Sequence, residues 1–220
     1  MGKTEIVNRW KAELRSMGFV YRNGMFENLE TQNRPVQFAI AIQWNTRSAT
    51  YRISPTIVMC NPLCEPSKAQ VLLSGTLHPD GIHLHQGGSS WWGEQSGAEA
   101  IDQLKQHAPG WFEKMGRTDY LAEVLETAIQ NRTRPIHIIE PIDEDSYPDW
   151  VKDWLPEAPF EQRRVGSMFY YQAAVLHYLN GDTAKAIERT KDWLNSLGPE
   201  NHSDRLIAIL QLRALETRPN

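Results

Sequence analysis

Two pairs of residues in this chain have the types and spacing for chemistry: Cys60-x3-Cys64 and His83-x-His85. Thiolates and imidazoles are the usual zinc donors, and four of them can complete a tetrahedral site. On a strand, residues two apart share a face, so His83 and His85 would project together with Leu84 behind them. The spacing argues against the metal. Structural zinc loops use tighter cysteine pairs backed by a second knuckle, and Asn61-Pro62-Leu63 is not one. Separate cysteines and two histidines on a solvated strand face account for the same residues, so no metal and no cofactor is expected. The histidines, with His78 nearby, also suit proton transfer near neutral pH. No nucleophile elbow, phosphate-cradling glycine loop or metal-hydrolase helix accompanies them, and Gly87-Gly88-Ser89-Ser90 reads as a connector. The chain is therefore read as non-catalytic. A hydrolase built on His83 and His85, with Cys60 and Cys64, is the alternative.

Residues 140–157 carry a different signal. Seven carboxylates (Glu140, Asp143, Glu144, Asp145, Asp149, Asp153, Glu157) stand against Lys152 alone, a local charge of -6 in a chain whose net charge is -4. Tyr147, Trp150 and Trp154 are interleaved with them. Carboxylates steer an encounter with a basic partner and aromatics supply contact area. A solvated linker whose tryptophans turn back into the core is the plainer reading. Trp91-Trp92 adds a second aromatic feature. Adjacent tryptophans on a loop cannot easily face the same way, so one is expected to plug the core and the other to make contacts. The candidate partner-binding residues are Trp91, Trp92, Asp143, Glu144, Asp145, Tyr147, Asp149 and Trp150.

The whole chain bounds these readings. At 220 residues, with 40% hydrophobic and 23% charged residues, it is long and apolar enough for a sizeable core. Mild acidity argues against direct nucleic-acid or anionic-lipid binding, which needs clustered Lys and Arg. No apolar run is long enough to span a bilayer and no signal-peptide pattern opens the sequence. Two cysteines give no disulfide framework, so a reducing cytoplasm is expected.

The elements that must position these residues are legible in part. Ile6, Trp10 and Leu14 mark an amphipathic helix with Thr4 as its cap and Gly18 as its end. Asn23-Gly24 predicts a hairpin. Residues 36–44 alternate, with Val36, Phe38, Ile40, Ile42 and Trp44 on one face. Tyr51, Ile53 and Ile57 continue the sheet, and Pro55 predicts an edge or a bulge. Residues 71–77 and 82–85 extend it. Ser96 and Glu99 form a capping box for the next helix, which Pro109 should kink or restart. A further amphipathic helix runs over 120–129. Helices then return over 160–179, 184–194 and 206–215. The expected fold is α+β: an N-terminal helix and antiparallel β-meander packed with helices over 1–133, an acidic connector over 134–159, and a helical hairpin region over 160–216. Ala174-x6-Gly181-Asp182-x3-Ala186 is similar to one tetratricopeptide unit, with Thr183 where an aromatic is usual.

Three landmarks together resemble a bacterial family of uncharacterised proteins, the domain of unknown function numbered forty-three-zero-four. They are Met17-Gly18-Phe19 leading to Phe26, the pair Trp91-Trp92, and Pro109-Gly110-Trp111-Phe112. The resemblance covers roughly residues 5–130. It implies an immunity protein of a polymorphic toxin system: a cytoplasmic inhibitor that binds and blocks a cognate, basic protein toxin and transfers no catalytic residues. An adaptor built on the C-terminal hairpin is a further alternative.

Overall fold

Alternating apolar residues make β3 (Val36–Asn45), the strand around which the sheet is built. The computed structural model describes residues 3–45, 47–63, 69–84, 92–93, 96–141 and 166–217. The fold is α+β, and the chain divides into two compact units, 1–117 and 118–220.

In the first unit, α1 (Lys3–Ser16) leads into β1 (Phe19–Arg22) and β2 (Met25–Asn28), joined at Asn23-Gly24. Both turn residues have positive φ, 50° and 89°, as the two-residue hairpin loop requires. Next come β3, β4 (Thr50–Cys60) and β5 (Ala69–Ser74), all antiparallel in the order β1-β2-β3-β4-β5. A small hairpin, β6 (Thr76–His78) and β7 (Gly81–His83), follows, and β8 (Trp92–Gly93) pairs with β4. The unit closes with α2 (Gly97–Met115).

The expected face of β3 is the one that meets the helices. Phe112 of α2 stacks on Phe38, with ring centroids 4.8 Å apart. Trp10 of α1 meets Tyr51 edge-on at 5.9 Å, and Tyr51 lies directly across the strand pair from Trp44. Trp10, Leu14, Ile40, Tyr51, Ile53, Ile57 and Leu104 are all at most 1% exposed and form the centre of this core.

Four local expectations are corrected. Pro55 is buried in β4, inside the sheet and not at its edge. It pairs with Ile40, and its carbonyl accepts from Gly75 N at 2.9 Å on the opposite side. Amide and carbonyl of one strand residue point the same way, so the missing N–H falls where β5 gives way to β6 and costs the β3–β4 ladder nothing. The predicted irregularity is real but lies at Ile57/Val58. Pro109 does not restart α2, which runs through it; the proline is exposed, where a lost backbone bond can be met by water. Ser96 precedes α2, but its hydroxyl donates to Gly93 O at 3.0 Å and makes no capping bond, so the capping box does not form. Thr4 lies inside α1, which already includes Lys3.

The second unit is helical. It comprises α3 (Thr118–Gln130), α4 (Pro135–Ile139), α5 (Ser167–Leu179), α6 (Thr183–Ser196) and α7 (His202–Thr217). Helices α3, α5, α6 and α7 pack in sequence, each on the next. The boundary therefore falls before α3, not at 133. Leu121, Val124, Leu125 and Ala128 were legible as an apolar stripe, and the stripe packs on α5. The stretch expected as a connector from 134 begins with α4. Tyr171 to His177 are buried without a break, because α5 is covered by α3 and by α6. The tetratricopeptide-like elements do form a tight hairpin: Ala174 and Ala186 are fully buried, Gly181 has φ +82°, and Asp182 caps α6 by accepting from Lys185 N at 3.0 Å. A third helix, α7, packs on this hairpin. Among the described residues no helix is long and apolar enough to cross a membrane.

Candidate functional site

Phe19, Phe38 and Phe112 come together in the first unit as the floor of a groove of about 370 Å³. Three elements supply them. The first residue of β1 gives Phe19, the helix-facing side of β3 gives Phe38, and the last turns of α2 give Phe112. Phe112 is the hub, at 4.8 Å from Phe38 and 5.7 Å from Phe19. Close approach of β3 to the end of α2 is permitted by Gly116: a Cβ there would fall 2.5 Å from Phe38 Cζ and 2.7 Å from Phe112 O. Met17 and Pro109 form apolar walls, and Asn28, Lys105 and Glu113 are the polar lining.

The rim is held in place by short-range electrostatics. Lys105 Nζ donates to Glu13 Oε2 at 2.6 Å, tying α2 to α1 beside the groove. Asn28 Oδ1 accepts from Glu30 N and Thr31 N at 3.0 and 3.2 Å, so the turn after β2 is fixed by the side chain that borders the groove. Both rim charges are exposed, which keeps the pair weak and screened. An apolar floor with polar groups confined to the edge is suited to holding an apolar side chain of a partner, with the edge selecting its orientation.

No family model matches the chain, and no curated protein or solved structure matches it.

Among the predicted contact residues, Trp92 is the plug of its pair. It is 4% exposed, and its indole N–H donates to Leu77 O at 3.1 Å. Paired on β4 and spent on a backbone carbonyl, it is not a contact residue. Trp91, Asp143, Glu144, Asp145, Tyr147, Asp149 and Trp150 lie outside the described residues.

Of the zinc or acid–base set, Cys64 and His85 also lie outside. His83 sits on the β6–β7 hairpin, where its Nε2 meets Asp80 Oδ1 at 3.1 Å across the turn. That hydrogen bond is the main reason the Asp80 carboxyl is held below its ordinary value. The His78 ring packs edge-on to His83 at 5.0 Å. Cys60 Sγ accepts from Gln37 Nε2 at 3.3 Å at the far end of β4. Among the described residues no group of three or more His, Cys, Asp or Glu gathers within metal-ligating range.

The second unit holds a buried ionic network that sequence reasoning missed. Glu126 of α3 receives Arg189 of α6 through two bonds, Nε to Oε1 at 2.8 Å and Nη2 to Oε2 at 2.7 Å. His177 Nε2 of α5 lies 2.8 Å from the same Oε1. Burial alone would raise the Glu126 carboxyl, but hydrogen bonds from Arg189 and His177 outweigh it and hold it at about 2. Arg189 is held above its ordinary value in turn, chiefly by its bond to Glu126. The network joins three helices, α3, α5 and α6, through one carboxylate.

Proposed function

We propose that this chain is a non-catalytic binding protein that captures a polypeptide partner by seating an apolar anchor side chain in the Phe19–Phe38–Phe112 groove. The observation that carries this reading is the groove's composition: three phenylalanine rings below, with Lys105 and Glu113 at the lip. Buried aromatic pockets of this kind concentrate binding energy in a few residues. The acidic, aromatic stretch over 143–150 supports a basic partner, because its carboxylates would accelerate encounter. Together with the family resemblance of Met17-Gly18-Phe19, Trp91-Trp92 and Pro109-Gly110-Trp111-Phe112, this favours an immunity protein that inhibits a cognate toxin in the cytoplasm.

The test is direct. The protein encoded beside this chain is purified and its affinity measured by calorimetry against wild type, Phe38→Ala and the triple substitution Asp143→Lys, Glu144→Lys, Asp145→Lys. Phe38→Ala should weaken binding at least about tenfold, the loss of one anchor contact of ~1.4 kcal/mol or more. The triple substitution should slow association and reduce its salt dependence. Failure of wild type to bind that product with better than micromolar affinity would remove the toxin-inhibitor reading. Tight binding unaffected by Phe38→Ala would remove the groove from it.

A further inference from the structure

The first turn of α2 presents a second arrangement, separate from the groove. The first intrahelical bond runs from Ala100 N to Ser96 O at 2.9 Å, so the N–H groups of Gly97, Ala98 and Glu99 precede the helical ladder. The side chain that would ordinarily satisfy one of them, Ser96, is turned to Gly93 O. Over this uncapped end lie two further donors. Arg9 Nη1 and Tyr51 Oη stand 3.2 and 3.3 Å from the point a Cβ on Gly97 would occupy. Tyr51 is 0% exposed, and its hydroxyl is buried without a hydrogen-bond partner. An unmade hydrogen bond at a buried hydroxyl costs about 1–3 kcal/mol, so a fold that keeps one usually has a use for it.

We propose that Arg9, Tyr51 and the first turn of α2 form a binding site for a phosphate-type oxyanion. The geometry brings a guanidinium and a phenol to one point beside the first turn of a 19-residue helix, and a helix start is electropositive. The donors outnumber what a planar carboxylate uses well and suit the several oxygens of a tetrahedral anion. Glu13, one turn along α1 from Arg9, is engaged by Lys105, which leaves the guanidinium available. Arg9 is exposed, so its side chain can swing to admit the ion to the buried phenol. Gly97 is the residue that leaves room: any side chain there would press against both donors. Glu99 on the same turn is exposed and carries the opposing charge.

The experiment follows backbone amide signals of the full chain by nuclear magnetic resonance during titration with inorganic phosphate, methyl phosphate, acetate and chloride at matched ionic strength. Gly97 and Ala98 should shift saturably with inorganic phosphate. Saturation by methyl phosphate as well would assign an esterified phosphate as an admissible source, and its failure would assign the free ion. Arg9→Gln should weaken phosphate about tenfold to a hundredfold, the value of a charge-assisted hydrogen bond, and Tyr51→Phe about two- to tenfold. Shifts that grow linearly and are matched by chloride would overturn the proposal. So would acetate binding as tightly as phosphate, or saturation unchanged in Arg9→Gln. Arg9 is on the surface, so that variant leaves the core untouched and decides the matter by itself.

Discussion

Glu126 and Arg189 are 63 positions apart in sequence and meet in a two-point ion pair, with both carboxylate oxygens engaged at 2.8 and 2.7 Å. Their side chains are only 9% and 13% exposed. Removing Glu126 strips Arg189 of its buried two-point partner, leaving it only the more exposed Glu188 and Asp192, and takes from His177 its carboxylate. Breaking a buried pair costs about 3–5 kcal/mol where nothing replaces it, and the remaining partners put this one at the lower end. Glu126→Gln should therefore lower the stability of the helical unit by about 3 kcal/mol in urea denaturation. Glu188→Gln, which removes an exposed partner of the same arginine, should change it by less than about 1 kcal/mol. Equal effects of the two would show that burial does not set the value of this network.

The same pair predicts acid sensitivity. Glu126 titrates at about 2 in the folded chain against an ordinary value of 4.5. The unfolded state takes up its proton first, so the contribution is complete above pH 4.5 and declines as pH falls towards 2. Unfolding followed by circular dichroism should show stability dropping through this window, and Glu126→Gln should flatten the drop. An unchanged acid profile in that variant would place the acid sensitivity elsewhere.

Tyr51 acts in the alkaline direction. Burial pushes its phenol up to about 12 from 10.0, against the opposing pull of Arg9. An unfolded tyrosine ionises first, so its contribution is complete below pH 10 and is lost as pH rises towards 12. Ultraviolet difference spectra should show one late-ionising tyrosine that disappears in Tyr51→Phe. In phosphate-free buffer that variant should also be more stable, by about 1 kcal/mol, because it removes an unsatisfied hydroxyl while keeping the ring against Trp10 and Trp44.

Gly116 controls the floor of the groove. Adding a Cβ forces Phe38 or the end of α2 to move, since the methyl would fall 2.5 Å from the ring. Gly116→Ala should cost about 1–3 kcal/mol by overpacking and should reduce partner affinity together with stability. Phe112→Ala should cost about 3–5 kcal/mol, since the ring is 5% exposed, stacks on Phe38 and packs against Phe19. A neutral Gly116→Ala would mean that the floor is soft.

Much of the first unit was legible because its signals are local. Period-two alternation at 36–44 and Asn23-Gly24 specify a strand face and a turn without reference to anything distant. Pro55 does not mark an edge and Pro109 does not restart its helix for one reason: a proline's cost depends on which way the missing N–H points, and only the neighbouring strand or solvent decides that. Leu121, Val124 and Leu125 mark α3 as a helix, but an apolar stripe does not say what covers it, so its place among the helices of the second unit is not written in its own residues. Phe38 was read as a core residue of its strand face, and only its half-buried state reveals the groove. Glu126, His177 and Arg189 carry no local signature, because each becomes a network member only when α3, α5 and α6 are brought together.

Pro55 also has a bearing on how the sheet chooses its alignment. Its imino nitrogen can be tolerated only where it points away from β3. Sliding β4 by a single residue would turn that nitrogen into the ladder and carry Tyr51, Ile53 and Ile57 to the wrong side of the sheet. One ring in the middle of the longest strand thus acts as a ratchet tooth, leaving competing strand pairings without a foothold.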